Sequence, residues 1–441
     1  MMGSVQTAIS ADDWREVSHR RDAVLGRPKS FIAFYLDDLR GGGIQKMRLK
    51  IAGSLVERGH KVDLVVCDVQ GPLRSRVPDG VRVVELEPSP LFAARVAALA
   101  SAPPELWRYY APIVLATDAT PTLPYFPALV RYLRNQCPDA FCAATPLVNV
   151  EASLACRKAG SRARIVVSEH NNISHGHPLG RGMIGRLLPP MNRRVYERAD
   201  ALIAVSNGVA EDMAARMGLP RERITTVYNP TVTPEIARRA RESLDHPWFV
   251  PGNPPVVLGV GRLSAGKDFA TLVRAFARVR SQKPARLMIL GEAKNPKKTA
   301  QAQSELMELA AELDVADDVA LPGFVENPYA YLARASVYVM SSLYGEGLPN
   351  AVIEALACGC PVVSTDCPSG PSEILEQGRY GRLVPVRDIV ALANAILETI
   401  DTPPNRDALR ARSEAFSIDR AVDCYEALLT GATFPTSSAL R

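Results

Sequence analysis

The chain has 441 residues, a length that suits two domains of ordinary size better than one core. Apolar residues make up 47% of the chain and charged residues 22%, which predicts a packed fold and excludes a disordered chain. The net charge of +5 is small, and no basic run is interleaved with aromatic residues, so nucleic acid is not an expected partner.

The N-terminal residues, the lengths of the apolar runs and the cysteines indicate the cellular compartment. Residues 1–28 are polar and lack an apolar core segment, so we interpret them as a loose N-terminal extension and not as a signal peptide. No apolar run reaches the ~18 residues of a membrane span, so any membrane contact is expected to be peripheral. The eight cysteines lack C-x-x-C spacing and have mostly small or apolar neighbours. They predict reduced core thiols in a cytoplasmic protein, not a zinc site.

The first half of the chain alternates between predicted strands and helices. The apolar run at 30–39 predicts a buried strand, the glycines Gly41 to Gly43 follow it, and a helical pattern leads to a second strand at 61–69. This βαβ unit implies a parallel sheet. Further strands are predicted within ARIVVSEHNN, ADALIAVSNG and RITTVYNP, the last of which closes the half.

A proline-rich linker at 246–255 separates this series from a second one. The second series runs from VVLGVGRL to YGRLVPV and again alternates strands with helices. We therefore predict an α/β protein with two Rossmann-like, doubly wound domains facing a crevice, at 29–230 and 231–412. Ligands of such folds bind at the carboxyl ends of the strands.

Two glycine-containing turns are candidates for contact with phosphate. At Gly41–Gly43, backbone amides and a helix N-terminus can approach a diphosphate or a sugar, although a tight turn without a ligand has the same pattern. In GVGRLSAGKD the spacing from Gly261 to Lys267 fits a P-loop, but Asp268 stands where a P-loop needs Ser or Thr. A true P-loop is therefore not predicted. Arg262 and Lys267 nevertheless both follow the carboxyl end of the same predicted strand, where two cations suit a diphosphate. The alternative is a surface pair without a ligand.

The segment from Ser341 to Leu375 has the strongest pattern. Glu346 lies in a glycine-flanked loop after a predicted strand, and Pro349 fits the first turn of the next helix. Glu354 comes later in that helix and can accept two hydrogen bonds from a vicinal diol such as ribose. Backbone amides at the start of the helix are expected to face an anion in the crevice, near Gly347, Leu348 and Asn350.

Histidines and arginines of the first half give weaker indications. His170 ends a predicted strand and could face the crevice, or it is a loop histidine without a role. His175 and His177 lie nearby, but no carboxylate partner is evident and no metal is expected. Pro189 and Pro190 are expected to break any long helix. Five arginines of the same region could meet anionic lipid or a pyrophosphate-linked acceptor, or form a solvated helix face: Arg181, Arg186, Arg193, Arg194 and Arg198.

These motifs together resemble the retaining glycosyltransferases of family 4, which have the GT-B fold. The resemblance extends from about residue 30 to about residue 430. It is carried by the glycine turn with its helix, SEHNN, ALIAVSNGVAEDM, GVGRLSAGKD and the segment from PGFVEN to PSEIL. By this resemblance the last segment, here at 413–441, is expected to be a helix that crosses back to the first domain, followed by a tail. The resemblance also implies closure over the donor, with a hinge near 228–230.

The resemblance implies roles for individual residues. Arg262 and Lys267 would bind the donor diphosphate, Glu346 would hold the transferred sugar and Glu354 the ribose. His170 would be the histidine of the first domain. The remaining donor-side contacts would come from Gly42, Gly43, Phe324, Val325, Gly347, Leu348 and Asn350. Gly41 and Asn149 would lie on the acceptor side.

The implied activity is transfer of a hexose or N-acetylhexosamine, with retention and without a metal or another cofactor, from a nucleotide-diphosphate sugar. UDP is the expected nucleotide, and the expected acceptor is a glycan or a polyprenyl- or lipid-linked precursor of a cell-surface polysaccharide. Localisation is expected to be cytoplasmic, with peripheral contact at the inner membrane surface. The alternatives are a GT-B nucleotide-sugar epimerase or phosphorylase, and a non-catalytic nucleotide-sugar binder.

Overall fold

The fold was analysed in a computed structural model, which describes residues 29–116, 120–174, 182–344 and 346–432. The proposed N-terminal extension, His175, His177 and Arg181 lie outside these ranges. Within them the chain forms two parallel sheets of seven and six strands, each covered by helices. The predicted α/β class with two doubly wound halves is confirmed.

The first sheet has the strand order β3-β2-β1-β4-β5-β6-β7 and is parallel throughout. Its central strands are apolar runs buried on both faces, as expected where helices cover both sides. Its strands are β1 (Phe31–Asp38), β2 (Lys61–Asp68), β3 (Val81–Glu85), β4 (Ala140–Ala144), β5 (Arg164–Glu169), β6 (Ala201–Ala204) and β7 (Ile224–Thr226).

Seven of the helices in the described ranges lie between β1 and β7 in the chain and cover the first sheet. They are α1 (Gly43–Glu57), α2 (Leu91–Leu99), α3 (Pro104–Leu115), α4 (Phe126–Gln136), α5 (Pro146–Ala159), α6 (Gly182–Tyr196) and α7 (Asn207–Met217). Strand β3 and the pair α2–α3 were not assigned from the sequence.

The expected helix break at Pro189 and Pro190 was wrong. Helix α6 continues through both prolines. It buries Met191, Val195 and Tyr196 against the core of the first half. The free energy gained from this apolar burial outweighs the hydrogen bonds that the prolines cannot donate.

The second sheet has the order β10-β9-β8-β11-β12-β13 and is also parallel. Its strands are β8 (Val256–Val260), β9 (Arg286–Leu290), β10 (Val319–Gly323), β11 (Val337–Met340), β12 (Val362–Thr365) and β13 (Arg382–Val384). The helices that follow β7 are α8 (Pro234–Ala240), α9 (Phe269–Arg280), α10 (Pro296–Glu312), α11 (Pro328–Arg334), α12 (Asn350–Ala357), α13 (Pro371–Ile374), α14 (Ile389–Asp401), α15 (Arg406–Ser413) and α16 (Ile418–Thr430).

Each sheet reverses its strand order at one point, between β1 and β4 in the first and between β8 and β11 in the second. Such a switch point opens a crevice at the carboxyl ends of its two strands, because the following chain segments leave toward opposite faces. The Gly41–Gly43 turn follows β1. The loop with Lys267 follows β8, and the loop with Glu346 follows β11.

The chain passes between the halves twice, and the two crossings lie side by side. Residues 228–232 lead out of the first half, and residues 414–418 lead back to it. Val232 donates its amide to Phe416 O at 3.0 Å, and Ile418 donates to Val232 O at 3.0 Å. The rings of Tyr228 and Phe416 contact each other in a tilted arrangement, with centroids 4.9 Å apart and an interplanar angle of 46°. The two crossings thus form one paired connection.

Helix α16 packs against the first half. Tyr425 is fully buried beside helix α1 and the first sheet. Arg58 pairs with Glu426 at 2.6 Å, and His60 Nε2 lies 3.1 Å from the same carboxylate. These two partners hold the pKa of Glu426 down at about 2, although its burial acts in the opposite direction.

The cysteines and the helices test two expectations from the sequence, namely buried core thiols and no membrane span. All eight cysteines are free and seven are buried, which confirms core thiols at those seven positions. Cys137 is exposed at the end of α4. Across the described ranges, no helix is both long enough and apolar enough to cross a membrane.

Candidate active site

Lys267 and Glu346 meet at the carboxyl edge of the second sheet. Lys267 Nζ donates a hydrogen bond to Glu346 Oε1 in a salt bridge, and Ser342 Oγ donates to the same oxygen at 3.1 Å. Their side chains keep 26% and 13% of their surface exposed, so the pair remains open to the crevice. The two residues are 79 positions apart in the chain. The order of strands β8 and β11 brings them together.

Asp268 explains why the segment from Gly261 to Lys267 is not a P-loop despite its spacing. Its backbone is left-handed, with φ of 47°, and it is the N-cap of helix α9. Its carboxylate accepts a hydrogen bond from Thr271 Oγ1 at 2.6 Å. The side chain is therefore used in ending the loop and starting the helix, where a P-loop would hold magnesium.

Arg262, Phe324 and Val325 lie at the open side of this edge. Arg262 is exposed and, across the described ranges, has no hydrogen-bond or salt-bridge partner. Phe324 is 69% exposed, with its amide 3.4 Å from Glu292 Oε1, and Val325 is half-buried. An exposed cation and an exposed aromatic ring are free to contact a ligand.

The start of helix α12 faces the glycine turn of the first half. A Cβ atom built on Gly43 would lie 4.0 Å from Asn350 Nδ2, and Gly41 has a φ of 112°, which favours glycine. Asn350 Oδ1 accepts hydrogen bonds from Asn229 and Thr231 at 3.0 and 3.1 Å. The Asn350 side-chain oxygen thus holds the chain crossing, and its Nδ2 faces the glycine turn of the first half.

The halves touch directly at Gly347. Any Cβ at this position would lie 2.0 Å from His170 O, so only glycine fits. The Gly347 carbonyl accepts a hydrogen bond from Ser206 Oγ at 2.8 Å. Leu348, next in the chain, is only 6% exposed. Gly347 therefore sets how closely the two edges of the crevice approach.

Glu354 lies one turn inside helix α12 and is half-buried. Burial raises the pKa of its carboxyl group to about 7, and the nearby ammonium groups of Lys50 and Lys46 oppose this rise. Both lysines belong to helix α1 of the first half. Lys50 Nζ also donates to Pro230 O and Thr231 O, at 3.2 and 3.3 Å. Lys46 and Lys50 were missed in the sequence, although their spacing of four after the glycine turn was a usable signal.

His170 lies at the first-half edge of the crevice and is 9% exposed. Its Nε2 is 3.1 Å from Ser168 Oγ. Burial lowers the pKa of its imidazole to about 3, and the Arg48 guanidinium adds to this effect. The imidazole is therefore neutral at physiological pH, so it can exchange hydrogen bonds with a ligand but carries no charge to it.

Asn149 does not face the crevice, contrary to our expectation for the acceptor side. It is fully buried, and its Nδ2 donates to Ser168 O and to Tyr196 Oη, at 3.1 and 2.9 Å. The Tyr196 hydroxyl donates to Glu169, whose carboxyl pKa burial raises to about 8. Asn149 thus belongs to a network that supports the backbone before His170, because helix α5 turns this side chain toward β5.

Glu373 links the halves and was missed in the sequence. Both of its carboxylate oxygens accept from the Asn207 amide at 2.9 Å, at the start of helix α7. One of them also accepts from Tyr228 Oη at 2.7 Å. A carboxylate at a helix N-terminus is favoured by the helix dipole. Its partners lie 145 to 166 residues away, so no local pattern could have found it.

The basic segment of the first half is mostly paired within the chain. Arg193 contacts Glu197 at 2.9 Å, and Arg198 contacts Glu105 at 2.8 Å. Arg194 lies over the Tyr109 ring, 4.9 Å from its centroid. Arg186 is exposed. Two of the five arginines proposed for a lipid or pyrophosphate ligand thus have carboxylate partners already.

The described residues contain no group of three or more His, Cys, Asp or Glu side chains arranged to hold a metal ion. The positive charges at this edge come from Arg262 and Lys267 of the second half, with Lys46 and Lys50 across the crevice.

Two family models match the chain. Residues 41–233 match Glycosyltransferase Family 4, and residues 254–402 match Glycosyl transferases group 1. The two matched segments follow the two sheets in order and together cover most of the chain. The chain belongs to this family of GT-B glycosyltransferases and is an enzyme of that class.

Curated relatives have the same activity class with different substrates in their names. A Campylobacter jejuni N-acetylgalactosaminyltransferase acting on a diphospho-undecaprenol-linked sugar is 29% identical over 284 residues, 63% of this chain and 72% of the relative. The lipopolysaccharide core biosynthesis glycosyltransferase LpsE of Rhizobium meliloti is 30% identical over 54% of this chain and 67% of its own. A GDP-mannose-dependent mannosyltransferase of Mycolicibacterium smegmatis is 29% identical over 63% of this chain and 71% of its own.

Solved structures have the same fold. The Anabaena protein HepE in complex with UDP and glucose superposes with a TM-score of 0.69 over 91% of this chain and 99% of that chain, at 19% identity. A glycosyltransferase from Rickettsia africae gives a TM-score of 0.69 over 92% of this chain and 99% of its own, at 15% identity. This confirms the GT-B architecture.

Proposed function

We propose that this enzyme transfers a hexose or N-acetylhexosamine, with retention, from a UDP-sugar to a glycan or lipid-linked acceptor in cell-surface polysaccharide synthesis, at the cytoplasmic face of the membrane. The observation that carries the proposal is the Lys267–Glu346 salt bridge, which is open to the crevice beside the start of α12. The acceptor class is supported by relatives named for undecaprenol-linked and lipopolysaccharide sugars.

The salt bridge provides a way to accept an anionic donor. The diphosphate competes with Glu346 for Lys267, and Arg262 adds a second cation that has no partner of its own in the described chain. Glu346, once released, is free to accept hydrogen bonds from the sugar hydroxyls. Charge that builds on the leaving diphosphate is thus met by fixed cations, the role that a metal ion has in other transferases.

The ionised carboxylate of Glu354 accepts hydrogen bonds from the ribose diol, and Phe324 and Val325 lie beside the base. His170, neutral and held by Ser168, lies at the first-half edge where it can hydrogen-bond the transferred sugar. The proposed route is a front-face one, in which the leaving phosphate takes the proton of the acceptor hydroxyl.

A thermal-shift panel tests the donor site. UDP, GDP, ADP and their sugar conjugates are compared without added metal and with EDTA, since ligands that bind only the folded state raise Tm. We expect the largest shift with UDP compounds and its loss in Glu354→Gln. The matched control is Glu305→Gln, on the exposed face of α10. A larger shift with GDP compounds would reassign the base, and no shift with any nucleotide sugar would contradict the proposed donor class.

Glu354 also gives a pH test. Its carboxyl pKa is about 7, so the fraction of the ionised form, and with it the affinity for UDP-glucose, is expected to rise as pH is raised through about 7. Isothermal titration calorimetry should show this rise in the wild type and a flat profile in Glu354→Gln. Equal profiles in both proteins would remove Glu354 from ribose recognition.

A further inference from the structure

One surface of the first half exposes more apolar side chains than its surroundings. Of the ten large hydrophobic side chains exposed among the described residues, five lie on the α2–α3 pair. Phe92 is 80% exposed, Leu115 59% and Val96 52%. The five are Leu91, Phe92, Val96, Trp107 and Leu115. Such clustering is typical of a surface that binds another molecule or a membrane.

The pair is a rigid hairpin. Helices α2 and α3 are joined by residues 100–103 and pack against each other and the same core, in which Ala94, Ala98 and Tyr110 are buried. Arg95 Nη2 donates to Ala116 O at 2.8 Å and ties the middle of α2 to the residue that follows α3. The apolar ridges, Phe92 with Val96 and Trp107 with Leu115, follow helical spacing and face outward.

The surface beside the hairpin is positively charged. Helix α6 runs along α3, as the Arg198–Glu105 salt bridge and the position of Arg194 over Tyr109 show. The carboxylates on this face, Glu105 and Glu197, are both in salt bridges.

Two cations on this face form no salt bridge within the described chain, although Arg108 lies over the Tyr109 ring, 4.6 Å from its centroid. Arg108 and Arg186 are exposed and have no carboxylate partner within the described chain. Glu85 and Glu87 are exposed at and just after the carboxyl end of β3, shortly before Leu91 in the chain, and they reduce the positive charge at this end of the hairpin. An apolar ridge with unpaired arginines at its edge matches the interface of an anionic bilayer.

We propose that the α2–α3 hairpin, with Arg108 and Arg186, docks this enzyme on an anionic lipid membrane. Leu91 follows the carboxyl end of β3, so Leu91, Phe92 and Leu115 lie at the crevice end of the first half. The docked hairpin therefore holds the crevice next to the bilayer. A second copy fits less well, because a two-fold interface would set these arginines against their own counterparts. The proposal rests on the proposed function in one respect: membrane docking brings the active site to its acceptor only if that acceptor is lipid-linked.

Vesicle co-sedimentation tests the surface with the full chain. Vesicles of phosphatidylcholine alone are compared with vesicles that also contain phosphatidylglycerol. We expect binding to the anionic vesicles, reduced roughly tenfold or more in the Phe92→Gln/Trp107→Gln variant. Arg108→Gln should reduce binding by about fivefold, as expected for the loss of one cation near the surface. The matched control is Val386→Gln/Val390→Gln, which removes two exposed apolar side chains from the second half.

A fluorescence measurement reports insertion directly. With Trp14→Phe and Trp248→Phe, Trp107 is the one remaining tryptophan of the three, and its emission should shift to the blue on anionic vesicles. Binding of UDP-glucose, measured by thermal shift, should be unchanged in the hairpin variant, so a failure of the donor site is distinguished from a failure of docking. Wild-type binding that the hairpin variant retains would overturn the proposal. So would a dimer in sedimentation velocity that the variant dissociates.

Discussion

The two edges of the crevice carry polar clusters of opposite character. On the second half, Lys267, Ser342 and Glu346 form a charged group that remains partly open to solvent. On the first half, Asn149, Glu169 and Tyr196 form a closed group, in which burial raises the pKa of the Glu169 carboxyl to about 8. Open charges can exchange partners with an arriving anion, whereas a closed network fixes the position of the backbone that it holds.

The two clusters should respond differently to substitution. Changes to the open cluster should alter turnover and leave stability nearly intact, because its groups are solvated without a ligand. Changes to the closed network should alter stability and its pH dependence first. Glu373 lies between these cases, since it connects the halves outside either cluster.

The largest effect is expected for Lys267→Ala. Without its ammonium group the diphosphate loses a fixed cation, so kcat should fall roughly 100-fold or more, as for removal of a single stabilising group in other active sites. The unfolding midpoint in urea should stay close to that of the wild type. The control is Lys298→Ala, an exposed residue of α10. Normal turnover in Lys267→Ala would contradict the expectation that the open cluster acts in turnover.

An intermediate effect is expected for Glu373→Ala. The substitution removes the carboxylate that caps α7 and binds Tyr228, and should lower the free energy of unfolding by about 1 to 3 kcal/mol. Because those partners belong to the other half and the crossing, the radius of gyration from small-angle scattering should also rise without donor. Glu398→Ala removes a carboxylate paired only within the second half and serves as the control. Unchanged scattering would show that Glu373 does not hold the halves together.

The smallest effect is a pH dependence from Glu169. Its folded pKa of about 8 is above the unfolded value of 4.5, so the folded state binds more protons and loses stability as pH rises between these values. His170, with a folded pKa of about 3, has the opposite slope below its usual 6.5 and none above it. From about pH 6.5 to about 8 the decline should therefore be visible, and Glu169→Gln should make it shallower by about 1 to 2 kcal/mol in urea unfolding. Equal slopes would mean that Glu169 is ionised in the fold.

Several features followed from the sequence because they depend on local chemistry. Buried apolar runs predicted β1 and β2, a helical pattern predicted α1, and the glycine turn marked the start of that helix. The order of strand, loop, proline and helix around Glu346 placed it and Glu354 at the carboxyl edge of a sheet. Periodicity and turn chemistry act over a few residues, so a single sequence contains them.

Other features were decided by the tertiary structure. Helix α6 continues through Pro189 and Pro190 because packing offsets the lost hydrogen bonds, and Asn149 turns into a buried network because of how α5 meets β5. Glu373 reaches α7 across the chain, and the apolar ridges of α2 and α3 lie side by side only once both helices cover the same core. Local pattern determined many of the elements and several of the residues that end them. Contacts between distant elements, whose energies depend on burial and on the whole topology, decided which side chains remain free for a ligand, a membrane or the other half of the molecule.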